Sequence, residues 1–305
     1  KIAIIGAGIS GLFIANLFRE NQDYQVTIYE KKTSINLDKG YGIQLSTNSV
    51  KLLNKIGFNA LEGKRRFNPE KIDFYTIQQE KKICDLNISN FNSEDCKYTT
   101  LKRSQLVEFL KGGLKDNIIK YDHNIEKIKK NNNQINLTFN KKNKALCDYL
   151  IISDGIFSKG KSIISDSEIK PVYNNSIAIR GNISRKKLHH INVNNISLFM
   201  GHNFHYVIYP VSKDNEILNF IGVLKHQLTV NELENYKLFK EETFIRSIKD
   251  KIQKQHSISI FDNIDSIKCF PVFVSKEYFK PIENIFLLGD AFFAFPPSFA
   301  QGASQ

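Results

Sequence analysis

A glycine-rich turn near the N-terminus constrains the fold of this chain more than any other feature of its sequence. Gly6, Gly8 and Gly11 form a G-x-G-x-x-G pattern between an apolar run at residues 2–5 and a segment with apolar residues at helical spacing. A second apolar run follows and ends at Glu30. A strand, a helix and a strand within about 30 residues predict a βαβ unit.

The spacing of these residues is typical of a dinucleotide-binding site. The first glycine permits a tight turn, the second lets the backbone approach a pyrophosphate, and the third lets the helix pack closely on the strand. The helix N-terminus presents free N–H groups to phosphates, and Glu30 can accept hydrogen bonds from both ribose hydroxyls. Ser10 and Lys31 are further candidate cofactor contacts. Because an acid at position 30 disfavours a 2′-phosphate, we expect the ADP half of FAD or NAD here.

Length and composition predict a globular chain with two structural units. The 305 residues exceed the usual size of one core, and 41% of them are hydrophobic. No apolar run approaches the roughly 20 residues that cross a bilayer, and no signal-peptide pattern is present. The four cysteines lie far apart, without metal-ligand spacing. We therefore expect a cytoplasmic protein with free thiols and no metal site.

The formal net charge of +12 raises the question of a nucleic-acid partner. Most lysines are scattered, and the densest groups, at 127–130 and 141–144, flank a predicted hairpin without interleaved aromatic residues. This pattern favours a solvated surface, so we expect no nucleic acid. A positive field still suits an anionic cofactor and an acidic substrate.

Apolar patterns along the chain predict an α/β fold. Helical periodicity marks residues 101–114 and 231–255. Residues 135–139 and 149–152 are candidate apolar strands, and the continuous apolar run at 285–288 predicts a buried strand. The sequence starts without Met and stops just after a glycine-containing loop, so we expect a fragment that lacks a C-terminal helical part.

Residues 177–225 change to an alternating pattern, which predicts antiparallel strands. The clearest hairpin joins 205–211 to 216–224. We therefore expect a discontinuous nucleotide domain with an inserted sheet domain. The predicted ranges are 1–65, 98–168 and 270–305 for the nucleotide domain, and 66–97 and 169–269 for the sheet domain.

Several segments resemble motifs of the single-component FAD-dependent aromatic hydroxylases. Residues 285–304, with a Gly-Asp pair, two prolines and a later glycine, are similar to the second flavin motif of that family. Residues 150–155 resemble its middle Asp-Gly motif, and Arg103 matches an arginine that opens a helix. Residues 39–48 and 201–211 look like the salicylate and 3-hydroxybenzoate hydroxylase branch, and the ubiquinone-biosynthesis hydroxylases share the broader pattern.

This resemblance spans nearly the whole chain and implies a fold. The expected architecture is a Rossmann-like FAD-binding domain of the GR2 type, like that of para-hydroxybenzoate hydroxylase (PHBH-like). The inserted, mainly antiparallel β-sheet domain is then the substrate domain.

The resemblance also implies roles for residues at the matching positions. It places Asp290, with Gly289, at the ribityl or pyrophosphate region of FAD, and Arg103 at the phosphate and ribityl oxygens. It places Asp154 at the pyrophosphate-side loop, where NAD(P)H docks. Ordinary alternatives are a helix N-cap for Asp290, a surface ion pair for Arg103 and a turn for Asp154. Lys161 departs from the family, which usually has an arginine there.

The loop after the Gly-Asp pair combines family features with a departure. Pro297 is implied to lie beside the isoalloxazine, as a catalytic position, and the backbone at Gly302 and Ala303 is implied to face its pyrimidine edge. Phe292 and Phe293 replace the usual Ala and His, so we expect a bulkier loop beside the flavin. This departure leaves open a degenerate, non-catalytic flavin-binding module.

The function implied by the resemblance is aromatic hydroxylation. An FAD-dependent monooxygenase of this kind uses NAD(P)H and O2 to hydroxylate a phenolic or quinone-precursor ring through a flavin C4a-hydroperoxide. The chain has one dinucleotide fingerprint, which fits a transient NAD(P)H reductant without its own Rossmann domain. A flavoprotein reductase or dehydrogenase on the same fold is the alternative enzyme. A quinone-precursor substrate would bring peripheral membrane contact.

Candidate substrate residues lie on the strand at 205–211. Alternation places His205, Val207 and Tyr209 on one face, and the resemblance implies that this strand borders a small aromatic substrate. We expect His205 to act as the base and Tyr209 as a polar pocket group, with His202 as the second candidate base. The alternative is a histidine on the solvent face of the sheet. Gln44 and Arg180 are further candidate substrate contacts.

Overall fold

The computed structural model describes residues 1–35, 37, 41–131, 134–165, 169–188, 192–213, 217–256, 260–280, 282–297 and 302. Within these ranges it contains seventeen strands. They are β1 (Ile2–Ile5), β2 (Val26–Tyr29), β3 (Gly42–Leu45), β4 (Lys71–Thr76), β5 (Lys82–Asn87), β6 (Thr99–Lys102), β7 (Ile119–Lys120), β8 (Ile125–Asn131), β9 (Gln134–Phe139), β10 (Lys144–Cys147), β11 (Tyr149–Ile152), β12 (Val172–Ser184), β13 (Ile196–Gly201), β14 (Phe204–Pro210), β15 (Ile217–Lys225), β16 (Ile264–Val274) and β17 (Ile285–Leu287).

The same ranges contain six α-helices and several short 3₁₀ turns. The helices are α1 (Ile9–Phe18), α2 (Thr47–Asn54), α3 (Arg103–Gly112), α4 (Lys159–Ile164), α5 (Val230–Glu234) and α6 (Glu242–His256). A 3₁₀ turn at Gly289–Ala291 follows β17 directly. None of the helices in the described ranges is long and apolar enough to cross a membrane.

A five-stranded parallel sheet forms the first layer of the fold, in the order β17-β11-β1-β2-β7. Central strand β1 is apolar throughout because both of its faces are covered. Ile2 and Ile4 pack with α1 and α3 on one face. Ala3 and Ile5 pack on the other face with the antiparallel sheet of β8, β9 and β10. The carboxyl ends of β1, β2 and β11 therefore meet at one edge.

The second layer is a seven-stranded sheet in the order β16-β12-β15-β14-β13-β4-β5. Its pairs are antiparallel except for the parallel pair of β13 and β4. One face is a core of aromatic and aliphatic side chains that α6 covers, including Phe199, Tyr206 and Phe220. Side chains of the other face, such as Val207 and Leu198, line one cavity together with Gly6 and Glu30, which follow β1 and β2. The predicted α/β class with a mainly antiparallel second sheet is confirmed, while the predicted domain boundaries remain a prediction.

Two sequence predictions of helices need correction. The predicted helix at 231–255 is divided, because α5 ends at Glu234 and α6 starts only at Glu242. The predicted helix at 101–114 is shorter and starts at Arg103, since Leu101 belongs to β6. In both cases apolar residues that bury in another element imitate a longer helical stripe.

Helices α1 and α3 are joined by a buried polar side chain. Asn16 is 2% exposed, and its Nδ2 donates hydrogen bonds to the carbonyl oxygens of Leu12 (2.8 Å) and Leu110 (2.7 Å). Its Oδ1 accepts a hydrogen bond from Arg19. This contact fixes α1 against α3, and α1 carries the glycine turn at its N-terminus.

We predict that Asn16→Ala lowers the free energy of unfolding by about 2 kcal/mol, since it removes these buried hydrogen bonds. Asn231→Ala, at an exposed position of α5, is the matched control and should change it by less than about 0.5 kcal/mol. Urea denaturation of both variants measures the difference. Equal midpoints would show that Asn16 does not stabilise the helix pair.

Candidate functional site

The glycine turn after β1 depends on contacts that leave no room for side chains. Gly6 has φ +100°, and its N–H donates a hydrogen bond to the Tyr29 carbonyl (2.8 Å). A Cβ on Gly11 would lie 2.1 Å from the carbonyl oxygen of Gly6 and 2.6 Å from the Ser153 hydroxyl. Gly11 is therefore needed for close packing of α1 on β1 and β11, as the sequence predicts.

Gly8 is different, because its surroundings within the protein do not require a glycine. Its backbone is extended, with φ −80° and ψ −176°, which any residue adopts. Among the described residues, a Cβ at Gly8 would meet only the Ser153 carbonyl oxygen, at 3.9 Å. Gly8 lines a cavity at the N-terminus of α1, where no side chain in the described ranges caps the helix. This open space and the free N–H groups suit a phosphate-bearing ligand.

Glu30 lies at the end of β2 beside the glycine turn. Its Oε2 accepts a hydrogen bond from the backbone N–H of Ala7 (2.8 Å), and its Oε1 accepts one from the N–H of Lys32 (3.0 Å). These bonds orient the carboxylate and leave further lone pairs on both oxygens. Glu30, Lys31 and Ser10 line the same cavity. The carboxylate is thus positioned to accept hydrogen bonds from a ligand in the cavity.

Asp290 and Arg103 stand at another wall of this cavity. Gly289 has φ +58°, and a Cβ there would lie 2.2 Å from the Ser10 hydroxyl, so the turn after β17 sits directly against α1. Burial raises the pKa of Asp290, and the nearby charge of Arg103 partly offsets this. Burial also lowers the pKa of Arg103, together with the positive charge of Arg180. Glu30 and Asp290 therefore share one cavity that runs past Gly8.

Asp154 follows β11 and reaches the cavity from the same edge of the parallel sheet. Its Oδ2 accepts a hydrogen bond from the backbone N–H of Gly160 (3.0 Å) in α4. Its Oδ1 is buried and has no hydrogen-bond partner in the part of the chain that the structure describes. An unsatisfied buried carboxylate oxygen costs free energy, so this atom is suited to accept from a ligand.

Strand β14 contributes the opposite wall. His205, Val207 and Tyr209 line the cavity, while Phe204 and Tyr206 lie in the core on the other face, as alternation predicts. Burial lowers the pKa of His205, so its imidazole is neutral at pH 7. Tyr209 is 3% exposed, and burial raises the pKa of its hydroxyl, with Arg180 opposing that shift.

The comparisons with known proteins agree with this geometry. The NAD(P)-binding Rossmann-like domain family matches residues 4–37. A curated 3-amino-4-hydroxybenzoate 2-monooxygenase of Streptomyces platensis is 23% identical over 228 residues, which cover 73% of this chain and 56% of that protein. This chain thus spans little more than half the length of that relative.

Solved structures match almost the whole chain. The 2,6-dihydroxypyridine-3-hydroxylase of Arthrobacter nicotinovorans superposes with a TM-score of 0.83 at 16% identity, covering 99% of this chain and 80% of that one. HpxO of Klebsiella pneumoniae, solved with FAD and uric acid, gives a TM-score of 0.82 at 16% identity, covering 99% and 76%. The chain has the fold of the FAD-dependent aromatic hydroxylases. The resemblance found in the sequence motifs is thereby confirmed.

In this hydroxylase fold the cavity has a volume of about 890 Å³ and collects most of the predicted site residues. The lining includes Gly6, Gly8, Ser10, Glu30, Lys31, Gln44, Arg103, Asp154, Arg180, His205, Tyr209, Asp290, Pro297 and Gly302. Gly11 and Gly289 lie outside the lining and fix the elements beside it. Ala303 lies outside the described residues. His202 is exposed in the turn between β13 and β14 and does not line the cavity.

The two phenylalanines that depart from the hydroxylase pattern do not line the cavity either. Phe293 stacks on Tyr278 with ring centroids 4.4 Å apart, and Phe292 is 42% exposed. Their bulk is therefore accommodated away from the described cavity walls. Lys161 is buried in α4, where burial lowers the pKa of its amine.

Sequence reasoning missed two tyrosines of the site. The Tyr98 hydroxyl donates a hydrogen bond to Oε1 of Gln44 (2.7 Å), and burial raises the pKa of Tyr98 to about 12. Tyr41 lies under Arg180, whose guanidinium carbon is 5.3 Å from the ring centroid. Both tyrosines precede a strand, Tyr41 before β3 and Tyr98 before β6. Tyr41 falls within the family-like segment 39–48, which was the available signal for it, whereas nothing in the local sequence of Tyr98 distinguishes it from a surface residue.

We predict opposite outcomes for two neighbouring glycine variants of the cofactor-free protein. Gly11→Ala places a methyl group against the Gly6 carbonyl and should lower the free energy of unfolding by about 2 kcal/mol or more. Gly8→Ala is the control in the same turn. Its methyl group extends into open space, so it should lower the free energy of unfolding by less than about 1 kcal/mol. Thermal unfolding followed by circular dichroism measures both. Equal losses would contradict the division of roles between the two glycines.

Proposed function

We propose that this protein is an FAD-dependent monooxygenase that hydroxylates a phenolic or quinone-precursor ring with NAD(P)H and O2. The proposal rests on one observation. The glycine turn, the Asp290 turn and the substrate-side strand β14 line a single continuous cavity. A cofactor that extends along this cavity reaches from the N-terminus of α1 to the face of the seven-stranded sheet.

The residues present fit FAD. Gly8 and the α1 N-terminus would hold the pyrophosphate, with Glu30 at the ribose and Ser10 and Lys31 beside them. Arg103 and Asp290 would hold the phosphate and ribityl groups through charge and hydrogen bonding. The unpaired Oδ1 of Asp154 supports a further polar contact on the pyrophosphate side.

The remaining positions fit a flavin ring and its visiting reductant. Pro297 and Gly302, which line the cavity, would border the isoalloxazine. Bound FAD, reduced by NAD(P)H, supplies the activation of O2 and the transfer of oxygen to the ring. The protein contributes positioning, exclusion of water and placement of protons.

His205 is our proposed general base. A phenol reacts faster as its phenolate, so a neutral imidazole beside its hydroxyl accelerates the reaction by accepting the proton. Burial lowers the pKa of His205 and keeps it in this neutral form at pH 7. Tyr209 and Gln44 would orient the ring through neutral hydrogen bonds, and Arg180 would stabilise negative charge on it.

We predict that Gly8→Val abolishes FAD binding, because the side chain fills the space that the pyrophosphate needs. Gly112→Val is the control, since a Cβ at Gly112 meets nothing within 4 Å among the described residues and lies away from the cavity. Bound flavin absorbs at about 450 nm. The absorbance of the purified full-length protein at this wavelength therefore reports its cofactor content. A Gly8→Val protein that is as yellow as the control would contradict the proposed cofactor position.

We predict that His205→Ala reduces the rate of hydroxylation by roughly 10²-fold at unchanged FAD content. His202→Ala, at an exposed position outside the cavity, is the control and should keep the rate. The neutral form of His205 is the active one, and its pKa is lowered. Activity should therefore be constant near pH 7 and fall only below about pH 6.5.

Product formation followed by mass spectrometry across this pH range measures the effect. His205→Ala should lose the acid limb of the profile together with the rate. Unchanged turnover would remove His205 from the mechanism. NAD(P)H-dependent release of hydrogen peroxide without any hydroxylated product would instead favour a reductase on this fold.

A further inference from the structure

The face of the seven-stranded sheet that borders the cavity contains a row of side chains in direct cross-strand register. Arg180 of β12 pairs with Ile221 of β15, and Ile221 pairs with Val207 of β14. Val207 pairs with Leu198 of β13, and Leu198 pairs with Phe74 of β4. All five line the cavity. We name Ile221, Val207, Leu198 and Phe74 the apolar row.

The apolar row is long compared with one aromatic ring. Adjacent strands lie about 4.8 Å apart, so the three steps from Ile221 to Phe74 span about 14 Å. A single ring is no wider than about two of these steps. Each member of the row is only partly buried within the protein, so the row offers apolar area that a ligand can cover.

Polar groups on this face are confined to one part of it. His205 pairs with Val223, and Tyr209 pairs with Asn219, so the two polar side chains flank Val207 along β14. Beyond Val207, the described cavity lining on β13 and β4 consists of Leu198, Phe74 and the neighbouring pair Ile196 and Ile72.

The two charged residues of β4, Lys71 and Asp73, alternate with the cavity-lining Ile72 and Phe74 and therefore lie on the opposite face. On that face Asp73 is 1% exposed. There it pairs with Lys82 (2.7 Å) and accepts a hydrogen bond from Asn195 (2.8 Å). A carboxylate placed over Leu198 and Phe74 would find no charge partner among the described lining residues of these strands, and its desolvation would oppose binding.

We propose that the substrate is a phenol with an uncharged, apolar substituent, such as an alkyl or prenyl chain or a fused ring system. The reacting ring lies over Val207 between His205 and Tyr209, and the substituent extends over Leu198 and Phe74. This proposal rests on the proposed function and narrows its substrate class. It departs from a small benzoate, which would leave the far half of the apolar row in contact with water.

The test is a series of matched ligands, from phenol through 4-methylphenol to 4-butylphenol, titrated into the full-length protein by calorimetry. The paired compound 3-(4-hydroxyphenyl)propanoate has a similar length and ends in a carboxylate. We expect the dissociation constant to fall by about fourfold per methylene, the value for a fully buried CH₂ group. The compound that ends in a carboxylate should bind without this gain in affinity.

Two variants locate the effect. Leu198→Asn, in the middle of the apolar row, should raise the dissociation constant of 4-butylphenol by about tenfold. The dissociation constant of phenol should change little. Ile83→Asn is the control, because Ile83 is an apolar residue of the same sheet that is 54% exposed and does not line the cavity. It should leave the whole series unchanged. The wild-type series provides its own readout should Leu198→Asn fail to fold.

Measurement of flavin content beside the titrations separates the two proposals. A yellow protein whose affinity does not depend on chain length, or which binds the carboxylate more tightly, would overturn the substrate class and leave the proposed cofactor intact. A protein that binds no FAD but shows the fourfold steps would overturn the proposed function and support the apolar row as a binding surface.

Discussion

The contact between Gly11 and the carbonyl of Gly6 is the constraint on which the rest of the site depends. It allows α1 to start directly against the ends of β1 and β11, with no side chain between them. Gly289 makes a similar approach from β17 to Ser10. These side-chain-free contacts aim the free N–H groups of α1 into the cavity and bring Asp290 to the same opening. A packing requirement in the backbone thus creates the electrostatic properties of the site.

Charged and neutral side chains are distributed unevenly around the cavity. Arg103 and Asp290 lie within electrostatic reach of one another, and burial shifts the pKa of both toward the neutral form. His205, on the facing strand, is kept neutral by burial. Arg103 and Asp290 therefore lie where we place the cofactor. The substrate-side sheet face carries neutral hydrogen-bonding groups and hydrocarbon, together with the charged Arg180 of β12 beside Ile221. This division separates the binding of an anionic cofactor from the binding of the ring.

Sequence alone predicted the features that local patterns determine. An apolar run predicts strand β1, and the glycine spacing predicts the turn after it. Alternation along β14 predicts the sheet face on which His205 lies. The break between α5 and α6 was missed, because apolar residues continue at helical spacing across a segment that tertiary packing bends. Tyr98 was missed since its hydrogen bond to Gln44 depends on the pairing of β3 with β6, more than 50 residues apart. The register that aligns the apolar row is equally invisible in any single segment.

The parallel pair of β4 and β13 has a consequence for how this protein acquires its structure. Phe74 and Leu198 face each other across strands separated by more than a hundred residues of chain. Contacts of such sequence separation form slowly, because a long loop must close, at a cost in chain entropy, before the contact can stabilise the structure. During synthesis, β4 leaves the ribosome with an unpaired edge until β13 has been made. A nascent chain of this kind exposes apolar surface for the whole interval, so its yield in the cell depends on protection from aggregation at that stage.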